Sequence, residues 1–327
     1  MSTNSELLSS YNIELKKESK VSSTIRLLNK REDSKISKIL YDKLLLAIKN
    51  RNLHDIKLPD VTFGIEFEFV GSRAAVDLNN FNTAMSSLFK ERYFYSGSYT
   101  HNDGSSWVLG RDGSIKYAYS SLYQPYGYEL STPKLRLHSS DDIKNLSKVI
   151  EYIHTYLHGE VNLSCGTHIH IGFSNNDLNL SDIYRFTILD LLSAYSKMEK
   201  VVFDPIVPSS RRRNRYCKAT KPKLREKYQK LSSRFCEFTY DGESQSLHFE
   251  FRQLEGTLDL NTILNWTTLQ SYVLYDLLLH IYDPSYIESL STKNIFDILL
   301  CYNFNNDLIN FFIDRVIEFK SRSIQQS

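Results

Sequence analysis

The sequence predicts an α+β fold on three observations. Short apolar or alternating runs typical of strands begin at Val61 and recur until about Gly256, and longer runs with helical spacing lie between and after them. Of the 327 residues, 41% are hydrophobic, enough to bury a large core. Glycine and proline number only 12 and 7, which argues against repetitive or linker-dominated architectures.

The predicted elements follow in order along the chain. Residues 1–58 contain no glycine or proline and carry apolar residues at helical spacing, which predicts a helical N-terminal extension. Strands are predicted at 61–70, 106–119, 127–132, 162–173 and 246–256. Helices are predicted at 140–158, 180–203 and 260–282, with two more near the C-terminus.

Charge and cysteine content narrow the functional class. The 40 lysines and arginines against 38 acidic residues give a formal net charge of +2, unlike strongly basic nucleic-acid-binding chains or highly charged disordered ones. No segment resembles a secretory signal or a membrane span, so we expect a cytoplasmic protein with no nucleic-acid or membrane partner. The four cysteines form no C-x-x-C pair and are interpreted as free thiols, with Cys165 a small buried residue at a tight turn.

Three predicted strands carry only glutamate, histidine and arginine on one face. Side chains alternate between the two faces of a strand, so the polar residues of FGIEFEF, THIHIG and LHFEFRQ lie opposite Ile and Phe. A solvated sheet face usually carries Thr, Ser, Lys or Gln, so this recurrence favours a functional face over a solvated one. The polar residues are Glu66, Glu68, His168, His170, His248, Glu250 and Arg252.

This face needs positive charge if the strands share a sheet. Neighbouring carboxylates raise each other's pKa unless a cation intervenes. Carboxylates and histidines without cysteine suit Mg²⁺ or Mn²⁺, which bridge carboxylates to substrate phosphates, better than structural zinc. Glu129 in GYELSTP offers a fourth carboxylate, and Arg252 beside Glu250 suits the stabilisation of phosphoryl oxygens.

A second basic constellation lies in SSRRRNRYC, residues 209–217, where four arginines fall within five residues. Alone, such a run is typical of a solvated or nucleic-acid-facing surface. Together with the carboxylate face it predicts the arginine side of a nucleotide phosphate site. The chain has no P-loop, no G-x-G-x-x-G turn and no G-x-S-x-G nucleophile elbow, so ATP would be bound by other means.

Taken in order, the motifs FGIEFEF, WVLGRDGSI, GYELSTP, NLSCGTHIHIG, SRRRNRYC and HFEFRQLEGTLD resemble the amidoligase family. This family belongs to the carboxylate–amine/ammonia ligase superfamily with glutamine synthetase and glutamate–cysteine ligase. The resemblance runs from about Val61 to Trp266. It implies a curved antiparallel sheet of glutamine synthetase type, with helices on the convex side, and a division into a helical extension (1–58), a catalytic domain (59–285) and C-terminal helices packed on that domain (286–327).

The resemblance also implies roles for individual residues, with ATP and Mg²⁺ or Mn²⁺ as cofactors. The implied metal ligands are Glu66, Glu68, Glu129, His168 and Glu250. The implied catalytic residues are Arg252, Glu68, Glu250 and His168. Contacts to nucleotide or to the substrate carboxylate are implied for Arg211, Arg212, Asn214, Arg215, Tyr216, Arg252 and His170. The D-G-S loop, with Asp112 and Ser114, receives no role, and Ser232 stands where the family pattern has asparagine.

The implied reaction joins a carboxylate to an amine or ammonia through an acyl phosphate formed from ATP. The resemblance implies peptide, protein or cell-wall-like substrates. Three alternatives stay open: a glutamate–cysteine ligase-like dipeptide ligase, a metal-dependent hydrolase that activates water, and a binding module whose catalysis has decayed. The hydrolase would not require Arg252 or the arginines of residues 211–215.

Overall fold

The computed structural model describes residues 56–72, 106–117, 125–173, 185–212, 248–302 and 304–325, with short pieces before and between them. These residues fall into two compact units. The described residues of 42–56, 200–206 and 288–325 form the first, and those of 57–199 and 207–287 form the second. Almost all of the predicted N-terminal extension, the start of the predicted helix at 180–203, and Arg215, Tyr216 and Ser232 lie outside the described residues.

The described part of the second unit contains one open sheet of eight strands that differ in length. Its strands run in the order β2-β3-β4-β1-β6-β8-β7, and β5 pairs with β1. Every pairing is antiparallel except that of β2 with β3. The strands are β1 (Val61–Ser72), β2 (Phe94–Tyr95), β3 (Val108–Arg111), β4 (Pro125–Ser131), β5 (Leu135–Arg136), β6 (Gly166–Phe173), β7 (Phe235–Cys236) and β8 (His248–Glu255).

The described residues also contain seven helices. They are α1 (Ser140–Thr155), α2 (Arg185–Met198), α3 (Ser209–Arg212), α4 (Leu260–Leu279), α5 (Pro284–Ser289), α6 (Ile295–Cys301) and α7 (Asn306–Gln325). The side chains of Ser139 and Asp259 accept backbone N–H groups at the starts of α1 and α4, which explains why those helices begin there. The α+β prediction is therefore confirmed. None of the described helices has the length and apolar character needed to cross a membrane.

The predicted strand at 106–119 is the one that the structure shortens most. Strand β3 ends at Arg111, because Asp112 forms a tight turn in which its carboxylate accepts the Ser114 N–H at 2.7 Å and the Ser114 hydroxyl at 3.0 Å. The D-G-S motif therefore ends the strand.

Alternating residues of the central strands build the core. In β1, the apolar members Val61, Phe63, Ile65, Phe67 and Phe69 are all buried. Helices cover this apolar face: the Tyr195 ring of α2 lies 5.5 Å from that of Phe251, and the Tyr275 ring of α4 lies 5.4 Å from that of Phe173. Burying one such aromatic side chain contributes about 1.5–3 kcal/mol, so the site on the opposite face rests on a rigid base.

A buried polar network connects β8 to the helices behind it. The Gln253 amide donates to the Tyr195 hydroxyl at 2.9 Å, and the Gln270 amide donates to Gln253 Oε1 at 2.8 Å. All three residues are almost completely buried. Because an unsatisfied buried amide is costly, this network specifies how α2 and α4 sit against β8.

In the first unit, α7 packs against the 3₁₀ turn Asp204–Ile206. Arg315 of α7 is buried and donates Nε and Nη2 to the Ile206 carbonyl, at 3.2 and 2.9 Å. Its guanidinium also lies over the ring of Phe319, 4.9 Å from the centroid. Arg315 thus serves the packing of this unit.

Candidate active site

Strand pairing brings the predicted acidic and histidine residues onto one face of the sheet. Glu68 of β1 lies opposite Glu129 of β4. On the other side of β1, Glu66 lies opposite His168 of β6, and in the next pairing His170 lies opposite Glu250 of β8. Residues directly opposite in a pair of strands share a face, so four neighbouring strands present these groups together.

His168 lies at the centre of the carboxylates and is buried. Its Nδ1 is 2.7 Å from Glu66 Oε2 and 3.5 Å from Glu250 Oε1, and its Nε2 is 3.2 Å from Glu68 Oε1. His170 Nε2 lies 3.1 Å from the other oxygen of Glu66. Both histidines therefore lie within hydrogen-bonding distance of Glu66.

Among the described residues, two groups of side chains could hold a metal ion. In the first group, Glu66, His168 and Glu250 each offer one ligand atom, and these three atoms lie within 4.8 Å of one another. In the second group, ligand atoms of Glu68, Glu129 and His168 lie equally close together. The two groups share His168. The sequence predicted all five of these residues as metal ligands, and the structure places all five together.

The carboxylates of the site differ in the direction of their pKa shifts. Burial raises the pKa of Glu66 and Glu68, but the neighbouring histidines outweigh it and lower both below the ordinary value. Glu129 has the opposite balance: burial and the charges of Glu66, Glu68 and Asp112 raise its pKa to about 8. Burial and Arg252 lower the pKa of His168, but its carboxylate neighbours raise it to about 10 overall.

Arg252 reaches the site through an irregularity in β8. Between Thr167 and Ile169 of β6, the paired residues of β8 step from Leu254 to Phe251. Two residues, Arg252 and Gln253, therefore lie opposite His168 as a β-bulge. The bulge aims Arg252 at the acidic face, where its Nε forms an ion pair with Glu250 Oε1, and Gln253 into the core network.

The arginine-rich motif is only partly described. Arg211 and Arg212 form the end of α3, and Asn214 follows that helix. Arg212 and Asn214 are half-buried. Arg211 is 2% exposed and its Nη2 donates to the Arg252 carbonyl at 2.6 Å. Arg215 and Tyr216, also predicted to contact nucleotide, lie outside the described residues, as does the side chain of His248.

Two glycines of the site were not recognised from the sequence. The Gly166 N–H donates to Glu68 Oε2 at 2.6 Å and so helps to hold that carboxylate. A Cβ on Gly127 would lie 2.5 Å from the Asp112 carbonyl oxygen and 2.6 Å from Ile115 Cβ, so the absence of a side chain lets the D-G-S segment fold over β4. The available signal was glycine inside a predicted strand, which marks a close approach of backbone.

Cys165 is buried beside this site, as predicted. Its carbonyl accepts the Gly256 N–H at 3.0 Å, and burial raises the pKa of its thiol to about 11. A thiol in this state is a poor nucleophile. Cys165, Cys217 and Cys301 are free cysteines, as predicted.

Comparison with known proteins agrees with this geometry. A family model described as "Putative amidoligase enzyme" matches residues 59–274, about two thirds of the chain. No curated protein matches the chain. The matched range contains every site residue described above, from Glu66 on β1 to Arg252 on β8. The chain therefore belongs to the amidoligase family.

Proposed function

We propose that this amidoligase is an ATP- and Mg²⁺-dependent carboxylate–amine ligase that works through an acyl phosphate. The observation that carries the proposal is the convergence of four carboxylates, two histidines and Arg252 on one sheet face of a family member. We further propose that the sheet is of the glutamine synthetase type, and that the substrates are carboxylates and amines of a peptide, protein or cell-wall-like compound.

The residues fit a divalent cation. Burial and the charges of Glu66, Glu68 and Asp112 raise the pKa of Glu129 to about 8, so a cation placed beside it would favour the ionised carboxylate. Oxygen donors from four carboxylates match the preference of Mg²⁺ and Mn²⁺. Glu66, Glu68, Glu129 and Glu250 would hold the cations with His168 beside them, and bound cations would neutralise the charge of the nucleotide phosphates.

The protein's own groups would direct the two chemical steps. The substrate carboxylate attacks the γ-phosphorus of ATP, the bond to the bridging oxygen breaks, and ADP leaves. Arg252, 29% exposed at its side chain, would donate to the phosphoryl oxygens as their charge grows. The amine then attacks the acyl carbon, loses a proton, and expels inorganic phosphate. His170, Arg212 and Asn214 would contact the nucleotide or the substrate carboxylate, together with Arg215 and Tyr216.

The proposal is tested by measuring phosphate release from ATP in the presence of Mg²⁺, with and without a pool of amines and small peptides. Glu68→Ala and Arg252→Ala should each lower turnover by about 10²–10³-fold, as expected for loss of a charge-stabilising group. The exposed residues Glu151 and Arg136 offer matched controls, Glu151→Ala and Arg136→Ala, which should retain activity.

Two outcomes would contradict this assignment. If the wild-type protein does not bind ATP at millimolar nucleotide and Mg²⁺, the ligase proposal is wrong. If it turns over a substrate without ATP and Arg252→Ala spares that turnover, a metal-dependent hydrolase explains the site better. Mass spectrometry of the products would distinguish free amino acids from peptides as the substrates of the ligase.

A further inference from the structure

Arg211 is the one member of the arginine-rich motif whose side chain is enclosed among the described residues. Only 2% of it is exposed, although the surrounding sequence of arginines is typical of a surface. Its Nη2 donates to the carbonyl of Arg252 at 2.6 Å. The guanidinium therefore binds the backbone of β8 at the bulge that aims Arg252 into the site.

The same guanidinium lies directly against the first residue of β6. A Cβ added to Gly166 would lie 2.4 Å from Arg211 Nη2 and 2.8 Å from both Cζ and Nη1. Such distances are far below van der Waals contact, so glycine is the residue that permits this approach. Gly166 in turn donates its N–H to Glu68 Oε2 at 2.6 Å.

Arg211 thus touches two backbone positions, and each of them holds one site residue. The Arg252 carbonyl belongs to the residue that pairs with Glu250, and the Gly166 N–H orients Glu68. Burial raises the pKa of Glu68, whereas His168 and Arg211 lower it, so Arg211 also favours the charged form of the carboxylate it helps to place.

We infer that Arg211 is a positioning residue, which holds Gly166 and the backbone of Arg252 so that Glu68 and Arg252 face the same site. It does not contact nucleotide, because its guanidinium is enclosed by protein. This inference deepens the proposed function, and it rests on that function only for its effect on turnover.

The first test follows the NMR resonance of the Gly166 amide and does not depend on enzymatic turnover. The chain has 12 glycines, so selective ¹⁵N-glycine labelling gives few amide resonances, and Gly166→Ala identifies the one of interest. A short hydrogen bond to a carboxylate shifts the amide proton downfield. Arg211→Ala should move this resonance upfield by more than its line width. Arg315→Ala, which removes another buried carbonyl-bound arginine, should leave it in place.

The second test measures thermal unfolding of single and double variants. Gly166→Ala should lower the unfolding temperature by about 2–4 °C or more in the presence of Arg211, and by clearly less in Arg211→Ala, because the smaller side chain leaves room for the new Cβ. Gly64→Ala is the matched control, since its Cβ would meet its nearest neighbours at 3.7 Å. Its effect should not depend on Arg211.

Arg211→Lys keeps the charge but loses the planar fork, and it serves where Arg211→Ala fails to fold. It should shift the Gly166 resonance in the same direction by a smaller amount. An unchanged resonance in both Arg211 variants, or additive effects of Gly166→Ala and Arg211→Ala on unfolding, would overturn the inference.

If the protein turns over ATP, kinetics give an independent test. Arg211→Lys and Gly166→Ala should both lower kcat about tenfold or more and change the KM for ATP by less than about twofold. A raised KM for ATP with unchanged kcat in Arg211→Lys would show a nucleotide contact and refute the positioning role. If wild type shows no turnover, the proposed function fails, while the spectra and unfolding data still decide the role of Arg211.

Discussion

Replacing Glu129 with glutamine should remove a proton that the site releases when it binds a divalent cation. The pKa of Glu129 is raised to about 8 by burial and by neighbouring carboxylates, so at pH 7 the side chain holds about 0.9 proton. A carboxylate must lose that proton before it can ligate a cation. Wild type should therefore release about 0.9 proton more per cation bound than Glu129→Gln.

The total released by wild type then reports on His168. Its pKa is raised to about 10, so it is protonated at pH 7, and it would add about one further proton if a ring nitrogen ligates the cation. At pH 7, wild type should release about 0.9 proton per cation bound if His168 stays a hydrogen-bond donor, and about 1.9 protons if His168 becomes a ligand. The difference between wild type and Glu129→Gln is the same in both cases.

Isothermal titration calorimetry with Mn²⁺ in two buffers of different protonation enthalpy measures this number. At pH 9 the difference between wild type and Glu129→Gln should fall to about 0.1 proton, since Glu129 is then ionised beforehand. Glu151→Gln on the exposed side of α1 is the matched control. Equal proton release by wild type and Glu129→Gln at pH 7 would refute the reasoning.

Three further predictions concern stability. In urea unfolding of the cation-free protein, the free energy of unfolding should fall as pH rises from 7 to 10. His168 contributes its full stabilisation below its ordinary pKa of 6.5 and loses it as pH rises toward its raised pKa of about 10. Glu129 loses its stabilisation in the same way between its ordinary pKa of 4.5 and its raised pKa of about 8. His168→Gln should flatten this decline, and a flat wild-type profile would contradict it. Tyr195→Phe should cost about 1–3 kcal/mol in the same assay, because it leaves a buried glutamine amide without its acceptor, and a loss below about 0.5 kcal/mol would show that the network relaxes. Gly127→Ala should cost about 1–3 kcal/mol through its clash with the D-G-S segment, whereas Gly110→Ala, with open space around its Cβ, should cost much less; equal losses would rule out the clash.

Much of the site face follows from strand alternation alone. Glu66, Glu68, His168 and His170 each alternate with buried Ile or Phe, so their common face could be predicted before any pairing was known. Glu129 was predicted from its motif, and the pairing of β1 with β4 places it opposite Glu68. Roles for these residues remain predictions that the experiments above test.

Other features depend on contacts that sequence spacing does not encode. The burial of Arg211 requires the approach of α3 to β6 and β8, so a run of arginines in the sequence indicates a surface instead. The raised pKa of Glu129 depends on its burial and on charges from two separate segments, β1 and the D-G-S turn. The end of β3 at Arg111 follows from local turn chemistry in D-G-S, a signal that was present in the sequence.

The bulge in β8 has a consequence for how this strand tolerates insertions and deletions. It places two successive residues, Arg252 and Gln253, on opposite sides of the sheet while both face the same residue of β6. Deleting Gln253 would restore regular pairing with Leu254 still opposite Thr167, but it would remove the amide that bonds Tyr195 and Gln270. Deleting Arg252 would remove the ion pair with Glu250. A deletion here therefore costs either the core network or the ion pair of the site, and homologous chains that keep both should align across Glu250–Leu254 without gaps.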